Sequence, residues 1–271
     1  MIVGRYDLRG RYALITGASS GIGREIARCA AAAGAHCALH TIPSEKATLR
    51  ALARELEETH GVRTWCFLYD FIVPSATRKL YNEVMARLPR LDLLVNNAGI
   101  MAYGDFHELS IDRQENVVRV NAMAYLSLMR LFIPDMVSRG DGRILNVSST
   151  SAFQPCPHHA VYGAAKSLVQ NLSEAVNREL RGTGVRITAF CPSYTDTPLL
   201  KGDAFPERVR WYRVSGLPSP ATVARHGIRA LVKGKAVYIP GLRNRLIHTL
   251  LNRMLPRRAI DWISDFVLRP E

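Results

Sequence analysis

Short runs of β-branched and apolar residues alternate with helical patterns along most of this chain. Strands are predicted at 11–16, 36–41, 63–69, 91–95, 142–147, 185–190 and 236–239. Helices are predicted at 21–33, 44–59, 75–88, 112–137, 160–181 and 221–232. Strands that are separated by helices of this length favour a parallel sheet covered on both faces. The pattern therefore predicts an α/β fold with a doubly wound parallel sheet.

The alternation runs through a single domain, because no repeat or low-complexity linker divides the 271 residues. Residues 1–240 are expected to form its main part. A Pro- and Ser-rich stretch at about 192–220 interrupts the alternation, and we interpret it as a long functional loop. Residues 241–271 are rich in Leu and Arg and are predicted to form a basic amphipathic helical extension of the same domain.

The chain is strongly basic, with 36 Lys and Arg against 23 Asp and Glu and a net charge of +13. Nucleic acid, an anionic membrane surface and an acidic ligand are all compatible with such a charge. Over half of it lies in residues 221–271, which hold ten basic and three acidic residues. No aromatic stacking platform accompanies these charges, so nucleic acid is not expected as a partner.

Within the extension, apolar residues recur at every fourth position: Leu242, Leu246, Leu250 and Met254. This spacing is typical of one face of a helix. We interpret it as a packing stripe beneath a solvated basic face. Such a helix could instead cover a substrate pocket, contact a second subunit or lie on an anionic membrane, and peripheral membrane contact is not favoured.

Five cysteines are scattered along the chain without a C-x-x-C pair or any metal-ligand spacing. Buried thiols in a reducing compartment are therefore expected, and no metal site. The adjacent His158 and His159 do not make a metal pair, because neighbouring side chains diverge. The first ten residues lack an apolar signal core and no 18-residue apolar run occurs, so we expect a cytoplasmic protein.

A glycine-rich turn, TGASSGIG at residues 16–23, directly follows the first predicted strand and opens a helix. Glycines let the backbone approach a pyrophosphate, and the free N–H groups at a helix start attract it. An ordinary tight strand-to-helix turn has a similar sequence, but the position in the first βαβ unit favours dinucleotide binding.

Tyr162 and Lys166 lie four residues apart in a predicted helix, so both project from one face. A free tyrosine, with a pKa near about 10, exchanges protons poorly at neutral pH. A neighbouring ammonium favours the phenolate, so Lys166 is predicted to lower the pKa of Tyr162. Ser149 follows a predicted strand and could hold the same substrate oxygen. The alternative is an ordinary amphipathic helix with a solvated lysine.

Taken together, these segments resemble the short-chain dehydrogenase/reductase family over roughly residues 8–232. The G-x-x-x-G-x-G turn, Asn-Asn-Ala-Gly at 96–99, Asn121, Ser149 and Tyr162-x-x-x-Lys166 occur in the expected order. Ser149 stands thirteen residues before Tyr162, which is the usual separation in that family. The resemblance implies a Rossmann-type catalytic domain and NAD(P)-dependent oxidoreductase activity on a carbonyl or alcohol. It also implies a homo-oligomer, either a dimer or a tetramer.

The resemblance also assigns roles to individual residues. The catalytic set is Asn121, Ser149, Tyr162 and Lys166. Lys166 would also bind the nicotinamide ribose, and Asn121 would hold a water that relays protons. The expected cofactor contacts are Gly17, Ser19, Ser20, Gly21, Ile22, Gly23, Thr41, Asp70, Phe71, Asn97, Ala98, Gly99, Tyr162, Lys166, Pro192, Thr195 and Thr197. Among these, Asp70 would contact adenine and Thr197 the nicotinamide carboxamide, while the Asn-Asn-Ala-Gly motif would also brace the sheet.

Two positions depart from the family pattern. The second strand ends without the acid that binds the ribose 2′-hydroxyl in NAD enzymes, and no acid follows until Glu45. The common NADP arginine is also missing and Ser20 stands at an often basic position, but Thr41, Ser44 and Lys46 could serve a phosphate. We therefore expect NADP(H) rather than NAD(H). The Pro-Gly after the sixth strand is Pro192-Ser193 here.

The segments expected to border the substrate are mainly apolar and aromatic. Their candidate residues are Met101, Phe153, Cys156, His158, His159, Tyr194 and Trp211. Such a lining favours a medium-sized hydrophobic ketone or secondary alcohol over a charged sugar. The alternative function is a cofactor-binding sensor or scaffold without turnover, against which the intact catalytic set argues.

Overall fold

The computed structural model describes residues 6–201, 205–206, 209–212, 216–251 and 254–269. Seven parallel strands form one sheet in the order β3-β2-β1-β4-β5-β6-β7. Their bounds are Tyr12–Thr16, His36–Thr41, Thr64–Leu68, Leu93–Asn96, Gly142–Val147, Val185–Phe190 and Val237–Tyr238, numbered β1 to β7 along the chain. The doubly wound α/β fold that the alternating pattern predicts is confirmed.

Helices follow the strands and cover both faces of the sheet. They are α1 Gly21–Ala32, α2 Lys46–His60, α3 Ala76–Arg87, α4 Ile111–Val118, α5 Ala124–Ser138, α6 Ala160–Glu179, α7 Pro220–Val232, α8 Leu242–Leu246 and α9 Arg257–Leu268. Short 3₁₀ turns occur at Pro43–Glu45, Thr150–Phe153 and Pro198–Leu200. The last strand is two residues long, shorter than predicted, because only Val237 and Tyr238 pair with β6.

The core lies on both sides of the sheet, because successive side chains of each strand point to opposite faces. In β1, Ile15 belongs to the cluster beneath α1 and α2, whereas Leu14 belongs to the cluster beneath α3 and α5. The side chains of Leu14 and Ile15 are both fully buried. This two-sided burial explains why the strands are almost continuously apolar.

One long helix, predicted as 112–137, contains an irregular turn in its middle. Between α4 and α5, Arg119–Met123 form a π-helical turn. This turn carries Asn121, and π-helical turns of this kind are frequent at functional sites. The whole helix, Ile111–Ser138, is long and apolar enough to span a membrane, but half of its most apolar stretch is buried in the protein. It therefore serves here as a core helix.

The C-terminal extension packs with the opposite face from the one the sequence predicts. The residues of the expected packing stripe are exposed: Leu242 by 71%, Leu246 by 49%, Leu250 by 52% and Met254 by 71%. Instead, Ile247 packs toward the substrate cluster and His248 is buried beside Trp211. The prediction was wrong because periodicity identifies an apolar face but not which surface of the domain it meets.

Candidate active site

A cavity of about 330 Å³ opens at the carboxyl ends of the central strands. Such an edge is where open α/β sheets bind ligands. It is lined by nearly all the residues that the sequence singled out: Gly17, Ser19, Ser20, Gly21, Ile22, Thr41, Asp70, Phe71, Asn97, Ala98, Gly99, Asn121, Ser149, Tyr162, Lys166, Pro192, Thr195 and Thr197. Among the predicted catalytic and cofactor-binding residues, Gly23 alone is absent from the lining.

The glycine turn is held against the end of β4 by close backbone contacts. A Cβ on Gly17, whose φ is +64°, would lie 2.9 Å from the Ala98 Cα. A Cβ on Gly23 would lie 2.2 Å from the Gly17 carbonyl oxygen, so α1 can start this close only with glycine there. The Asn97 amide donates to the carbonyl oxygens of Thr16 and Gly17, at 2.9 and 3.2 Å.

The neighbouring asparagine, Asn96, braces the centre of the sheet. Its amide nitrogen donates to Asn146 Oδ1 on β5 at 2.8 Å. The Asn146 amide in turn donates to the Ser173 hydroxyl of α6 at 2.8 Å. A buried amide that bridges two strands and a helix satisfies groups that would otherwise be costly to bury. The predicted bracing role of the Asn-Asn-Ala-Gly motif therefore matches the contacts that both asparagines make.

A dinucleotide fits the glycine end of the cavity. The start of α1 has no side-chain cap and no acid in its first turn, so its N–H groups remain available to an anion. Two carboxylates line the same end, at Glu45 and Asp70. Asp70 accepts a hydrogen bond from the backbone N–H of Ile72 at 3.0 Å, which fixes the turn after β3.

Glu45 folds back onto the end of β2. Its carboxylate accepts hydrogen bonds from the hydroxyls of Ser19 and Thr41, the latter at 2.9 Å. These are hydroxyls that the sequence analysis expected to face the cofactor. Lys166 is the sole cationic side chain among the described lining residues, and it lies beside Tyr162 rather than at this end. This end of the cavity is therefore electronegative.

His40 lies beside these groups at the floor of the cavity. Its ring stacks on Phe71 with centroids 4.3 Å apart, and Nε2 donates to the Tyr69 carbonyl oxygen at 2.9 Å. Burial lowers the pKa of His40 to about 4, so the ring is neutral at physiological pH. The His40 ring therefore contributes to the shape of the cavity floor but provides no positive charge that could bind a phosphate.

Tyr162 is buried at the middle of the cavity, where its hydroxyl has a polar neighbour. Burial raises the pKa of Tyr162 to about 12, and a hydrogen bond with Ser149 partly opposes that rise. The Ser149 hydroxyl also accepts from the backbone N–H of Ser151 at 3.0 Å, which fixes its rotamer. The sequence analysis predicted a lowered pKa for Tyr162, but the loss of hydration on burial raises it.

Lys166 reaches the same place from one turn further along α6. Its Nζ donates to the Val147 carbonyl oxygen at 2.9 Å and to the Tyr125 hydroxyl at 3.3 Å. The same nitrogen lies 5.6 Å from the centre of the Tyr162 ring. Burial lowers the pKa of Lys166 to about 7, because the charged form loses its hydration.

Asn121 lies in the π-helical turn between α4 and α5. Its amide nitrogen donates to the carbonyl oxygens of Ile100 and Val117, at 2.8 and 2.9 Å. Its Oδ1 is buried and has no hydrogen-bond partner among the described residues. An unpartnered buried acceptor on a residue that lines the cavity fits a bound polar molecule, in agreement with the water-holding role that the resemblance implies.

The serine in Pro192-Ser193 anchors the loop that follows β6. Its hydroxyl accepts a hydrogen bond from the Trp211 indole nitrogen at 3.2 Å, and its carbonyl oxygen accepts one from Thr195 Oγ1 at 3.0 Å. The Pro192 carbonyl oxygen accepts from the Thr150 N–H at 3.0 Å. Serine at position 193 therefore has less backbone freedom than the glycine of the family pattern. Its side chain instead contacts Trp211 in the substrate loop.

The predicted substrate residues separate into three groups. Met101 and Tyr194 line the cavity. His159 and Trp211 are buried just behind it, with His159 Nε2 at 3.4 Å from the Tyr194 hydroxyl. Phe153 and Cys156 line a second depression on the other side of α6, and His158 lies near the surface between Asp105 and Asp265.

Several residues in and around the cavity were not identified as site residues by the sequence analysis, among them His40, Glu45, Tyr125 and His248. Tyr125 follows Asn121 by one helical turn, a spacing that could have identified it. The backward fold of Glu45 and the packing of His248 on Trp211 depend on tertiary contacts that no local pattern encodes. Among the described residues, no group of His, Cys, Asp and Glu could hold a metal ion.

The sequence matches the family model of the short chain dehydrogenases over residues 11–205. The ketoacyl reductase HetN of Nostoc sp. is 30% identical over 266 residues, which cover 95% of this chain and 86% of that protein. The inactive hydroxysteroid dehydrogenase-like protein 1 of Pongo abelii is 29% identical over 264 residues, covering 96% of this chain and 77% of the relative.

Among solved structures, a short-chain dehydrogenase from Sphingobium yanoikuyae in complex with NADPH is 27% identical to this chain. The two superpose with a TM-score of 0.79, and the match covers 94% of each chain. The similarity therefore extends beyond the residues that the family model covers.

Proposed function

The chain belongs to the short-chain dehydrogenase family, and we propose that it interconverts a medium-sized apolar ketone and the corresponding secondary alcohol. The observation that carries this proposal is the convergence of Ser149, Tyr162 and Lys166 at the junction of two unlike halves of one cavity. Toward the glycine turn the lining includes hydroxyl and carboxylate groups. Toward Met101 and Leu200 it is apolar and merges with a cluster of aromatic side chains.

A nicotinamide dinucleotide in the glycine end supplies the hydride for this interconversion. The Ser149 hydroxyl holds the substrate oxygen, and Tyr162 donates its proton to that oxygen during reduction. With a pKa near 12, Tyr162 is protonated at physiological pH and is ready to act as the acid. Lys166 then stabilises the phenolate that remains, because an adjacent cation favours it.

The apolar half of the cavity supports the substrate class. Met101, Tyr194, Leu199 and Leu200 line it, and none of them carries a charge. Behind them, Phe205 and Trp211 are buried in the same cluster. A lining of this kind favours burial of an aliphatic or ring-shaped body over a polyhydroxylated one, which would leave hydroxyls unpaired.

The cofactor choice depends on Glu45. The sequence-based preference for NADP(H) stays a prediction; the missing acid at the end of β2 and the NADPH-bound relative support it. The Glu45 carboxylate opposes it, because it engages the Ser19 and Thr41 hydroxyls and would repel a 2′-phosphate. We therefore propose that Glu45 weakens the preference for NADP(H), because it repels the 2′-phosphate and can accept a hydrogen bond from a 2′-hydroxyl.

The activity is tested with purified protein, NADH and NADPH, and a panel of apolar ketones and secondary alcohols. We expect turnover by the wild type and a loss of about a thousandfold or more in Tyr162→Phe, with cofactor binding unchanged. Tyr212→Phe, beside the same aromatic cluster, is the matched control and should keep its activity. Cofactor binding without turnover by the wild type on the whole panel would instead favour the sensor function.

We also propose a homo-oligomer in a reducing, cytoplasmic compartment. Exposed apolar side chains on the long helix and α6, at Met123, Leu126 and Leu168, support the oligomer. All five cysteines are free thiols, which supports the compartment. Light scattering of the wild type tests the oligomer, and a strict monomer at working concentrations would contradict it.

A further inference from the structure

The C-terminal extension displays an unusual concentration of exposed apolar side chains. Of the 18 large hydrophobic residues that are exposed in the described chain, eight lie between positions 242 and 266. They are Leu242, Leu246, Leu250, Met254, Leu255, Trp262, Ile263 and Phe266. Soluble monomers seldom expose apolar side chains so densely unless the surface meets a partner. We call these eight residues the apolar face.

Arginines accompany the apolar face along its length. Arg243, Arg245, Arg257 and Arg258 are exposed. Among the described residues, Arg243, Arg257 and Arg258 form no ion pair, whereas Arg269 pairs with Asp265. Cations that are left without acidic partners beside apolar side chains are typical of segments that lie in the interface of an anionic bilayer.

The apolar face belongs to a segment that is anchored to the domain. On its inner side, the Leu268 carbonyl oxygen accepts a hydrogen bond from the Tyr103 hydroxyl at 2.9 Å, and His248 Nδ1 donates to Gln154 Oε1 at 3.0 Å. Asp265 lies 3.6 Å from His158 Nε2. These contacts fix which side faces outward, so the exposure follows from the fold of the segment.

We propose that the apolar face docks this protein on the surface of an anionic lipid bilayer, with Trp262 and Phe266 entering the headgroup region. The two rings stack at 5.9 Å and present an aromatic surface of the kind that such interfaces favour. A second copy of the chain is a poorer occupant. A symmetric contact would bring the unpaired arginines of two chains, each with a net charge of +13, toward one another.

The docking is tested by cosedimentation of the full-length protein with vesicles. One set contains phosphatidylcholine alone, and the other contains phosphatidylcholine mixed with phosphatidylglycerol. We expect binding to the mixed vesicles that weakens as salt rises, and little binding to phosphatidylcholine alone. Arg257→Gln with Arg258→Gln should weaken binding about fivefold for each arginine removed. Leu246→Ser with Leu250→Ser should weaken it by at least about tenfold.

Matched variants elsewhere on the surface serve as controls. Phe106→Ser removes a side chain that is 65% exposed outside the apolar face, and Lys233→Gln with Lys235→Gln removes two exposed cations from another part of the chain. Both should bind vesicles as the wild type does. Circular dichroism and cofactor affinity check that the leucine variant folds, and the arginine variant tests the proposal independently of it.

Three outcomes would overturn the proposal. The first is no binding to mixed vesicles at low salt. The second is equal weakening by the control variants, which would show attraction to the whole basic protein. The third is a change of oligomeric state in the leucine variant without any vesicle binding by the wild type, which would assign the apolar face to a second copy. None of these outcomes depends on whether the protein turns over a substrate.

Discussion

The two halves of the cavity are built in different ways. The half at the glycine turn is made by residues at or just after the carboxyl ends of β1, β2, β3 and β4, such as Gly17, Thr41 and Asp70. The other half joins segments that are far apart in sequence, including Met101, Tyr194 and Trp211, and the C-terminal Ile247 packs against it. In the first half the sheet itself places the side chains, whereas in the second their positions depend on long-range packing.

This difference explains why one fold can keep its cofactor while its substrate changes. Strand ends in a parallel sheet are fixed by the hydrogen-bonding register, so the residues that follow them hold constant positions. Loops and extensions tolerate substitution because few backbone hydrogen bonds depend on them. Changes in the first half should therefore act on cofactor binding as a whole, and changes in the second half on substrate affinity and local stability.

The largest expected effect on ligand affinity comes from Gly23→Ala at the glycine turn. The added methyl group would lie 2.2 Å from the Gly17 carbonyl oxygen and 2.4 Å from Asn97 Nδ2, so the turn or α1 must move. We expect cofactor affinity to fall by about a hundredfold, as measured by fluorescence titration. Gly61→Ala is the control. Its φ of +64° makes alanine strained there, but nothing lies within 4 Å of the added methyl group and the residue is outside the cavity lining, so cofactor affinity should not change. Equal losses in both variants would contradict a specific close contact.

The second effect is the loss of stability in mild acid through buried histidines. Burial lowers the pKa values of His159 and His248 in the substrate half to about 4, whereas the unfolded chain binds these protons near pH 6.5. Unfolded molecules therefore take up more protons between pH 6.5 and 4, and stability falls as pH falls through that window. Each histidine should contribute roughly 3 kcal/mol to this loss.

Urea denaturation at several pH values measures the acid effect. His248→Asn keeps a donor toward Gln154 but cannot titrate, so its stability should fall less steeply than that of the wild type between pH 6.5 and 4. His60→Asn, at the exposed end of α2, is the control and should leave the slope unchanged. Identical slopes for the wild type and His248→Asn would show that this ring is not held neutral by the fold.

A smaller effect is expected from Glu45→Gln in the glycine half. Removing one negative charge beside the Ser19 and Thr41 hydroxyls should raise the ratio of NADPH to NADH affinity by about tenfold. Isothermal titration with both cofactors gives this ratio directly. Glu108→Gln, an exposed carboxylate outside the cavity, should leave it unchanged. A constant ratio in Glu45→Gln would show that the carboxylate turns away when cofactor binds.

The smallest effect is expected from Ser193→Gly in the loop after β6. It removes the hydroxyl that accepts the Trp211 indole hydrogen bond at 3.2 Å, so KM for the substrate should rise about fivefold with little change in cofactor affinity. Trp211→Phe removes the other partner of that bond. In the double variant the two effects should not add, because both report one interaction. Fully additive effects on KM would show that Ser193 and Trp211 act independently of each other.

The local patterns predicted most of the fold, and the family resemblance predicted nearly all of the glycine half. Buried parallel strands are continuous apolar runs, so β1, β2, β5 and β6 were predicted to within one residue at each end. Asn121 was identified from the resemblance, but its place in a π-helical turn was not, because one extra residue per turn leaves no mark on the apolar pattern. The lowered pKa predicted for Tyr162 was wrong, because its burial could not be weighed against the charge of Lys166.

The extension shows the same limit more sharply. The period of four correctly identified an apolar face at Leu242, Leu246 and Leu250, yet that face is the one exposed. Which side of a helix meets the domain depends on what the domain offers, and here the pocket wall accepts Ile247 and His248. A one-dimensional pattern contains no information about that surface.

The sequence by itself determined the sheet, the glycine turn and the presence of Ser149, Tyr162 and Lys166, because these depend on side-chain period and on fixed spacings within single elements. Tertiary structure alone decided the backward fold of Glu45, the protonation of buried groups and the outward side of the extension. Each of those depends on desolvation and contact between segments that are distant in the chain, and such effects arise only once the segments have packed.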